Sequence, residues 1–262
     1  MLETLRGLDR HYDDDFGTNR LFETLRLFAR THEDGRVLDV GCWPGDLAVA
    51  LQRMGVDVHG LDIDPRRAME RYAQERIHVE RCDIERDRFP FGDGEFRYIV
   101  FTEVIEHLYV NPLHTLGELR RILAPGGRLL LSTPNLGRWE NRVLFGLGRP
   151  LMLQDSPLEA FSKQITVGHM GHLRLFMPAE LLELLAHARF GVLQEHFVDL
   201  EGPSALRSGR DSTDRKPGAL ARLFKRRRAS DYVEFVGMRV GPMIKRRLPH
   251  LRGHLFMLLE AR

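Results

Sequence analysis

A ten-residue stretch near the start of the chain, Val37 to Asp46, constrains the fold more than any other part; it reads VLDVGCWPGD. Its mostly apolar opening is typical of a buried strand, and Gly41 and Gly45 mark a tight turn. A helical pattern, LAVAL at 47–51, follows directly. Strand, glycine turn and helix form the opening unit of a nucleotide-binding α/β sheet. We therefore expect a ligand at this turn, facing the free N–H groups of the helix N-terminus.

The spacing of the turn argues against a dinucleotide as that ligand. A G-x-G-x-x-G motif needs glycine at the positions that Trp43 and Asp46 occupy. None of the five tyrosines is followed four residues later by lysine, so the Tyr-x-x-x-Lys pair of short-chain dehydrogenases and epimerases is missing.

Two further acidic positions come where the next predicted strands end. Strand 2, at 56–61, ends at Asp62, and a carboxylate there can accept hydrogen bonds from both hydroxyls of a ribose. Asp64, which precedes a proline, is expected to cap the next helix and so to leave Asp62 for the ligand. Strand 3, at 77–81, is followed by Asp83. Ligands of doubly wound sheets bind along the edge where these strands end.

The turn resembles motif I of the class I S-adenosylmethionine-dependent methyltransferases, acidic-x-Gly-x-Gly-x-Gly, with Trp43 in place of the middle glycine. The segments FPFGDGEF at 89–96 and APGG at 124–127, before a strand at 128–132, are similar to further marks of that family, and EVIEH at 103–107 is common in it. The resemblance implies an α/β fold with a Rossmann-like, doubly wound, seven-stranded sheet. The implied strand order is 3-2-1-4-5-7-6, with strand 7, at 254–259, antiparallel.

S-adenosylmethionine is the cofactor that the resemblance implies. In the family, the residue matching Asp62 holds the ribose, the one matching Asp83 receives the adenine amino group, and the next backbone N–H, at Ile84, donates to the ring. The residues expected at the cofactor are Asp39, Gly41, Cys42, Trp43, Gly45, Asp62, Ile63, Asp83, Ile84, Thr102 and Glu103. Because Trp43 departs from the motif, a non-catalytic binding module that keeps the fold stays open as an alternative.

The catalytic candidates are Glu103, Glu106, His107 and His172. Methyl transfer to oxygen or nitrogen is an in-line displacement, in which the enzyme aligns the acceptor and removes or positions its proton. On a helix, Glu103 and Glu106 would share a face, with His107 one turn from Glu103. One interpretation makes His107 a general base, since the pKa of histidine lies near neutral pH.

A second interpretation is a metal site. Glu-x-x-Glu-His with a later histidine before a phenylalanine resembles the metal-dependent small-RNA 2′-O-methyltransferases and the ubiquinone-pathway catechol O-methyltransferases. His172 matches that later histidine best. The resemblance implies Mg²⁺ or Zn²⁺ at Glu103, Glu106, His107 and His172, where a metal would draw off the proton of an acceptor hydroxyl. A third interpretation gives these residues only a structural role, tying loops together.

The expected reaction is transfer of a methyl group from S-adenosylmethionine to a hydroxyl oxygen of a small molecule, a sugar or a lipid-linked intermediate. The alternative within the same class is a metal-assisted O-methyltransferase acting on catechol or ribose hydroxyls.

A single methyltransferase domain is expected over all 262 residues. It would carry an N-terminal helical cap at 1–35, in which Tyr12 to Asp15 is either a lid or a frayed terminus. An insertion at 135–177 would cover the substrate, or fill a satellite core, with Trp139, Phe145, Met152 and Phe161. A basic insertion at 200–250 would precede the last strand.

The basic insertion has nine lysines and arginines but only two acidic residues within 207–228. This pattern fits an anionic membrane surface or a phosphorylated substrate, and equally a solvated surface helix. RNA is disfavoured, because aromatic residues are not interleaved with the basic ones. Two cysteines, no apolar run of about 18 residues and no apolar N-terminal segment predict a cytoplasmic protein, with peripheral attachment to the inner membrane surface through 207–228 as an option.

Overall fold

A computed structural model of the chain describes residues 15–108, 110–148, 151, 171–172, 174–200 and 241–262. Several sequence predictions fall outside the described residues. These concern Tyr12 to Asp14 in the proposed lid, Met152 and Phe161 in the substrate-covering insertion, and the basic stretch 207–228. They stay predictions.

Seven strands form one sheet in the order β3-β2-β1-β4-β5-β7-β6. The strands are β1 (Val37–Val40), β2 (Val58–Asp62), β3 (His78–Arg81), β4 (Phe96–Thr102), β5 (Leu123–Pro134), β6 (Phe190–Val198) and β7 (His254–Ala261). β1 to β5 are parallel, and β7 lies antiparallel between β5 and β6. The predicted fold class, strand order and orientation of the last strand are therefore confirmed.

Seven helices accompany the sheet in the described part of the chain. They are α1 (Asp15–Thr31), α2 (Asp46–Arg53), α3 (Met69–Gln74), α4 (Pro112–Ile122), α5 (Trp139–Gly146), α6 (Pro178–His187) and α7 (Gly241–Arg247). Short 3₁₀ turns occur at Pro65–Ala68, Ile105–His107 and Pro249–Leu251. No helix among these residues is long and apolar enough to cross a membrane.

The core has two apolar layers, one on each face of the sheet. Because successive side chains of a strand point to opposite faces, Leu38 and Val40 of β1 join the layer that α4 and α6 cover. Val37 joins the other layer, beneath α1, α2 and α3. Burial on both faces explains why β1 is buried along its whole length. Asp39 is the polar exception within that strand, and it lies at the site described next.

Candidate functional site

A cavity of about 530 Å³ lies where β1, β2, β3 and β4 reach their carboxyl ends. Its walls are the turn after β1, the segments that follow β2, β3 and β4, and one side of α1. This is the edge along which doubly wound sheets bind ligands, and the volume is typical of small-molecule sites.

Ten of the eleven residues predicted to hold the cofactor line this cavity. They are Asp39, Gly41, Cys42, Trp43, Asp62, Ile63, Asp83, Ile84, Thr102 and Glu103. Gly45 is not among the lining residues. Its left-handed backbone, with φ of 96°, ends the turn where α2 begins, and a Cβ there would lie 2.8 Å from Cε1 of Tyr72.

Gly41 brings the turn after β1 against the segment after β4. Its φ is +73°, and an added Cβ would lie 2.6 Å from Cγ2 of Val104. Its N–H donates to the carbonyl oxygen of Leu61 at 2.8 Å. A side chain at this position would therefore force apart two walls of the cavity.

Asp62 is held in place by backbone donors from both sides. The N–H of Trp43 donates to Oδ2 at 3.0 Å, and the N–H of Asp64 donates to Oδ1 at 2.9 Å. Each carboxylate oxygen has a second lone pair, so Asp62 can still accept two hydrogen bonds from a ligand. The sequence prediction for Asp64 was wrong in one respect. Its side chain makes no capping hydrogen bond, and its Oδ1 accepts from Nε of Arg66 at 2.7 Å.

Ile63 and Asp83 form the part of the cavity beyond Asp62. Ile63 is 60% exposed and lines the cavity, so its apolar side chain is accessible to a ligand. Oδ1 of Asp83 accepts from the N–H of Glu85 at 3.1 Å, which orients this carboxylate. An apolar surface beside an oriented carboxylate suits a nucleobase that carries an amino group.

Asp39 places a buried carboxyl group at the cavity wall. It is 4% exposed. Burial, reinforced by the negative charge of Asp62, raises its pKa to about 7, against the opposing effect of the Arg20 guanidinium. A cationic ligand group beside Asp39 would relieve this cost.

Arg20 of α1 also lines the cavity, and sequence reasoning missed it. The helix to which it belongs was predicted from the apolar periodicity of residues 19–32, but nothing in that pattern singles out one polar residue as a ligand group. Its position at the site follows from the packing of α1 on the sheet.

We call the part of the site that contains Glu103, Glu106, His107 and His172 the reacting end, and Glu103 is the first of these residues in the chain. Its backbone is left-handed, with φ of +56°, and a 3₁₀ turn follows at 105–107, so the helical spacing assumed for Glu103 and Glu106 does not apply. Oε1 of Glu103 accepts from Oγ of Ser132 at 2.8 Å, and Oε2 lies 3.7 Å from Nε2 of His254. Burial raises the pKa of Glu103.

Glu106, His107 and His172 are brought together, with one potential ligand atom from each lying within 4.8 Å of the others. Glu103, which the metal interpretation also included, is not part of this group in the described structure. Glu106 is fully buried; its Oε2 accepts from Oγ1 of Thr133 at 3.1 Å, whereas Oε1 has no hydrogen-bond partner among the described residues. Burial, and then the charge of Glu103, raise the pKa of Glu106 well above its ordinary value.

A backbone contact defines the tautomer of His107. Its Nδ1 lies 2.7 Å from the carbonyl oxygen of Gly171. Because a carbonyl oxygen only accepts, Nδ1 carries a proton, and in the neutral form of the ring the lone pair is on Nε2. That is the form required of a general base and of a metal ligand. The ring centroids of His107 and His172 are 4.9 Å apart.

His254 is a second residue at this end that the sequence did not reveal. It is the first residue of β7, is completely buried, and lies against Glu103 as described. Burial, followed by the charge of Arg138, lowers its pKa well below the ordinary value, so the ring is neutral at physiological pH. In the sequence it is only the first residue of an apolar strand.

Comparison with known proteins agrees with this geometry. A family model described as a methyltransferase domain matches residues 16–195. The chain is 34% identical over 159 residues to a probable S-adenosylmethionine-dependent methyltransferase of Mycolicibacterium smegmatis. This match covers 60% of this chain and 52% of that protein. It is 32% identical over 192 residues to a ubiquinone biosynthesis O-methyltransferase of Ruegeria pomeroyi. This match covers 70% of this chain and 66% of that protein. The chain thus spans about half to two thirds of the length of these curated relatives.

A likeness in fold alone comes from a crystal structure of a Pyrococcus horikoshii protein. It matches with a TM-score of 0.57 at 18% identity and covers 99% of both chains. The family model covers well over half of the chain, including every strand from β1 to β5. The chain therefore belongs to the class I S-adenosylmethionine-dependent methyltransferases.

Proposed function

We propose that this chain transfers a methyl group from S-adenosylmethionine to a hydroxyl oxygen of a small molecule, a sugar or a lipid-linked intermediate. When bound, the cofactor supplies an electrophilic methyl group on a sulfonium centre. The remaining tasks, which are to hold the cofactor, to place the acceptor and to take its proton, belong to residues of this chain.

The cofactor side of the cavity fits this role. A Cβ at Gly41 would fill space between the β1 turn and Val104, so the cradle depends on a glycine. Asp62 keeps two lone pairs for ribose hydroxyls, while Ile63 and Asp83 offer an apolar surface and an acceptor for adenine. These hydrogen-bond acceptors and this apolar surface therefore suit an adenosine.

The observation that carries the acceptor assignment is the tautomer of His107. His107 lines the cavity, and its contact with Gly171 places a proton on Nδ1, so that in the neutral ring Nε2 is the basic nitrogen. A hydroxyl must give up its proton as it is methylated, whereas a neutral amine already presents a lone pair. A neutral imidazole at the cavity wall therefore favours a hydroxyl acceptor. The printed name of the Ruegeria relative, an O-methyltransferase, points the same way.

Calorimetric titration with S-adenosylmethionine is the first test, followed by assay of S-adenosylhomocysteine release with a panel of phenols, catechols, sugars and amines. His107→Gln should lower kcat by roughly 10²- to 10⁴-fold and leave cofactor affinity within about threefold. His114→Gln is the control, because His114 lies on α4 and its Nε2 contacts the carbonyl oxygen of Asp87. Methylation of amines but not of hydroxyls would contradict the acceptor class. Cofactor binding without transfer to any acceptor would favour the non-catalytic module.

Metal-assisted O-methylation of catechol or ribose hydroxyls is the second candidate. It is favoured by the convergence of Glu106, His107 and His172 and by the unpartnered, buried Oε1 of Glu106. In addition, the Nδ1 contact of His107 with a backbone carbonyl is how metal-binding histidines are commonly oriented. Two imidazoles and one carboxylate suit Zn²⁺ better than Mg²⁺, which prefers oxygen ligands.

Metal content separates the two candidates. The purified protein would be dialysed against Zn²⁺ or Mg²⁺ and analysed by mass spectrometry, alongside His172→Ala and the control His187→Ala at the end of α6. A stoichiometric metal that only His172→Ala abolishes supports the metal-assisted reaction. Equal metal content in all three proteins would rule out this cluster as the metal site.

A further inference from the structure

Two helices next to the junction of β5 and β7 expose large apolar side chains to solvent. Among the described residues, Phe145 of α5 is 77% exposed and Met243 of α7 is 65% exposed, the two highest values for large apolar side chains. Leu147, just past the end of α5, is 53% exposed. The only other described side chain of this kind above half exposure is Ile63, which lines the cavity. Apolar exposure that is concentrated in one part of a surface points to a binding partner.

Lys245 ties α7 to α5 on their inner sides. Its Nζ lies 2.7 Å from Oε1 of Glu140, on α5, and 2.8 Å from Oδ1 of Asp199, just past the end of β6. Oε2 of Glu140 accepts from Nε of Arg138 at 3.0 Å. These inner charges therefore satisfy one another and hold the two helices in contact, which leaves the outward faces of the helices for a partner.

The outward faces combine apolar and basic side chains. On α7, Met243, Arg246 and Arg247 are three and four positions apart, so they share one face of the helix, and all three are exposed. Arg142 and Phe145 share the exposed face of α5 in the same way. We use the name α5–α7 surface for six exposed residues: Arg142, Phe145, Leu147, Met243, Arg246 and Arg247.

The α5–α7 surface receives no negative charge from its own two segments. Segment 136–148 has a single acidic residue, Glu140, which is buried and paired as described above. Segment 241–251 has none. The exposed charge of both helices is therefore positive only, which favours an anionic partner.

We propose that the α5–α7 surface docks on an anionic lipid bilayer, with its apolar side chains in the acyl boundary and its arginines at the headgroup phosphates. Large apolar side chains beside basic ones are the pattern of helices that lie in a membrane interface. A nucleic acid would use the arginines, but it stacks on flat aromatic rings and has no use for exposed aliphatic side chains such as Leu147 and Met243. The combination on this surface therefore favours a bilayer.

The position of this surface connects docking with the reacting end. β7 begins at His254, which lies against Glu103, and it pairs there with the end of β5. The side chain of Asn135 donates to the carbonyl oxygens of His250 and Arg252, and so joins the segments that lead to α5 and α7. A bilayer docked on these helices would adjoin the reacting end, which favours the lipid-linked class of acceptor. Only this last consequence rests on the proposed function.

Flotation of the full-length protein with vesicles tests the docking. The vesicles are phosphatidylcholine with and without phosphatidylglycerol, and the unmodified protein should bind mainly the anionic ones. Phe145→Ser/Met243→Ser should lower the partition coefficient by about 10- to 100-fold, because two apolar side chains no longer enter the bilayer. Arg246→Gln/Arg247→Gln should lower it by about 10- to 30-fold, because two charges near the headgroups are lost.

Matched pairs elsewhere on the surface are the controls. Met54→Ser/Met69→Ser alters two exposed methionines, and Arg30→Gln/Arg88→Gln removes two exposed charges. Both controls should bind anionic vesicles within about twofold of the unmodified protein, since distant surface charges are screened. Every variant should unfold within about 2 °C of the unmodified protein, because the altered side chains are exposed.

Three results would overturn the proposal. The first is a lack of binding to anionic vesicles by the unmodified protein, and the second is retained binding in either the apolar or the arginine variant. The third is a dimer, detected by light scattering, that Phe145→Ser/Met243→Ser dissociates, which would assign the surface to a second copy of the chain. None of these measurements requires turnover, so failure of the docking leaves the proposed reaction untouched, and absence of methyl transfer leaves the docking untouched.

Discussion

The cofactor end and the reacting end of the cavity are built in different ways. At the cofactor end, Gly41 directly follows β1 and Asp62 is the last residue of β2, and the backbone N–H groups of Trp43 and Asp64 orient Asp62. At the reacting end, His107 depends on Gly171, which lies 64 residues away in the chain, and Glu106 depends on Thr133, 27 residues away. Short motifs therefore build the first end, and the folded chain as a whole builds the second.

The largest expected effect is on the pH dependence of stability, and it comes from the buried Asp39 at the cofactor end. As pH rises from about 4 to about 7, Asp39 loses its proton in the unfolded chain but keeps it in the folded one, whose pKa is about 7. The unfolded state then binds fewer protons, so stability falls with rising pH over this window. Asp39→Asn removes that dependence. It should raise the free energy of unfolding of the cofactor-free protein by up to about 4 kcal/mol at pH 8, and by little near pH 4.

Urea unfolding at a series of pH values would measure this effect. Asp57→Asn is the control, since Asp57 is exposed and paired with Arg36, and its stability change should stay within about 0.5 kcal/mol at each pH. The same pH dependence in Asp39→Asn as in the unmodified protein would mean that Asp39 titrates normally. Burial of the Asp39 carboxylate at the cofactor end would then have no measurable cost.

The next largest effect should come from the glycine of the β1 turn. Gly41→Ala adds a Cβ in a left-handed conformation and against Val104, and should lower the free energy of unfolding by about 2–4 kcal/mol. Gly55→Ala, with φ of +84° and no atom within 4 Å of the added Cβ, should lose only about 1–2 kcal/mol. Thermal unfolding of both proteins gives the comparison. Equal losses would show that close packing at the turn contributes nothing.

A smaller effect on ligand affinity is expected at Asp62. Asp62→Ala should weaken S-adenosylmethionine by about 1–3 kcal/mol, because two ribose hydroxyls lose a charged acceptor. Asp57→Ala should leave affinity unchanged, because Asp57 is exposed, pairs with Arg36 and is not among the residues that line the cavity. Calorimetry checks both variants, and unchanged affinity of Asp62→Ala would refute the ribose assignment.

The smallest expected effects come from the buried hydroxyl groups of Ser132 and Thr133 at the reacting end. Ser132→Ala and Thr133→Val each remove one hydrogen bond to a buried carboxyl group, and each should cost about 1 kcal/mol of stability. Only Ser132→Ala should also alter cofactor affinity, because its partner Glu103 lines the cavity and Glu106 does not. Similar affinities for both variants would mean that Glu103 is no part of the cofactor site.

Prediction from sequence succeeded where the chain carries local signals. The motifs carry the resemblance to the methyltransferase family, that resemblance implied the order of the strands, and the structure confirms it. The bounds of β5 were harder to predict. The strand runs from Leu123 to Pro134, longer than the predicted 128–132, because Leu123 pairs with Phe96 ahead of a register shift in the glycine-containing segment.

The same contrast holds for the site. Gly41 and Asp62 could be predicted to lie at the cavity because each stands at the carboxyl end of a recognisable strand, where the motif calls for that residue type. Arg20 and His254 could not, because packing of α1 on the sheet brings Arg20 to the cavity, and packing of β7 between β5 and β6 brings His254 against Glu103. Neither position carries a sequence signal of its own.

The contact between His107 and Gly171 has a consequence for protein engineering. A transplant of residues 37–107 alone into another sheet would transfer loops that line the cavity but would leave the imidazole able to interconvert between its two neutral tautomers. Without the carbonyl oxygen of Gly171, the proton would no longer be held on Nδ1. A functional graft must also include the distant backbone segment that contains Gly171.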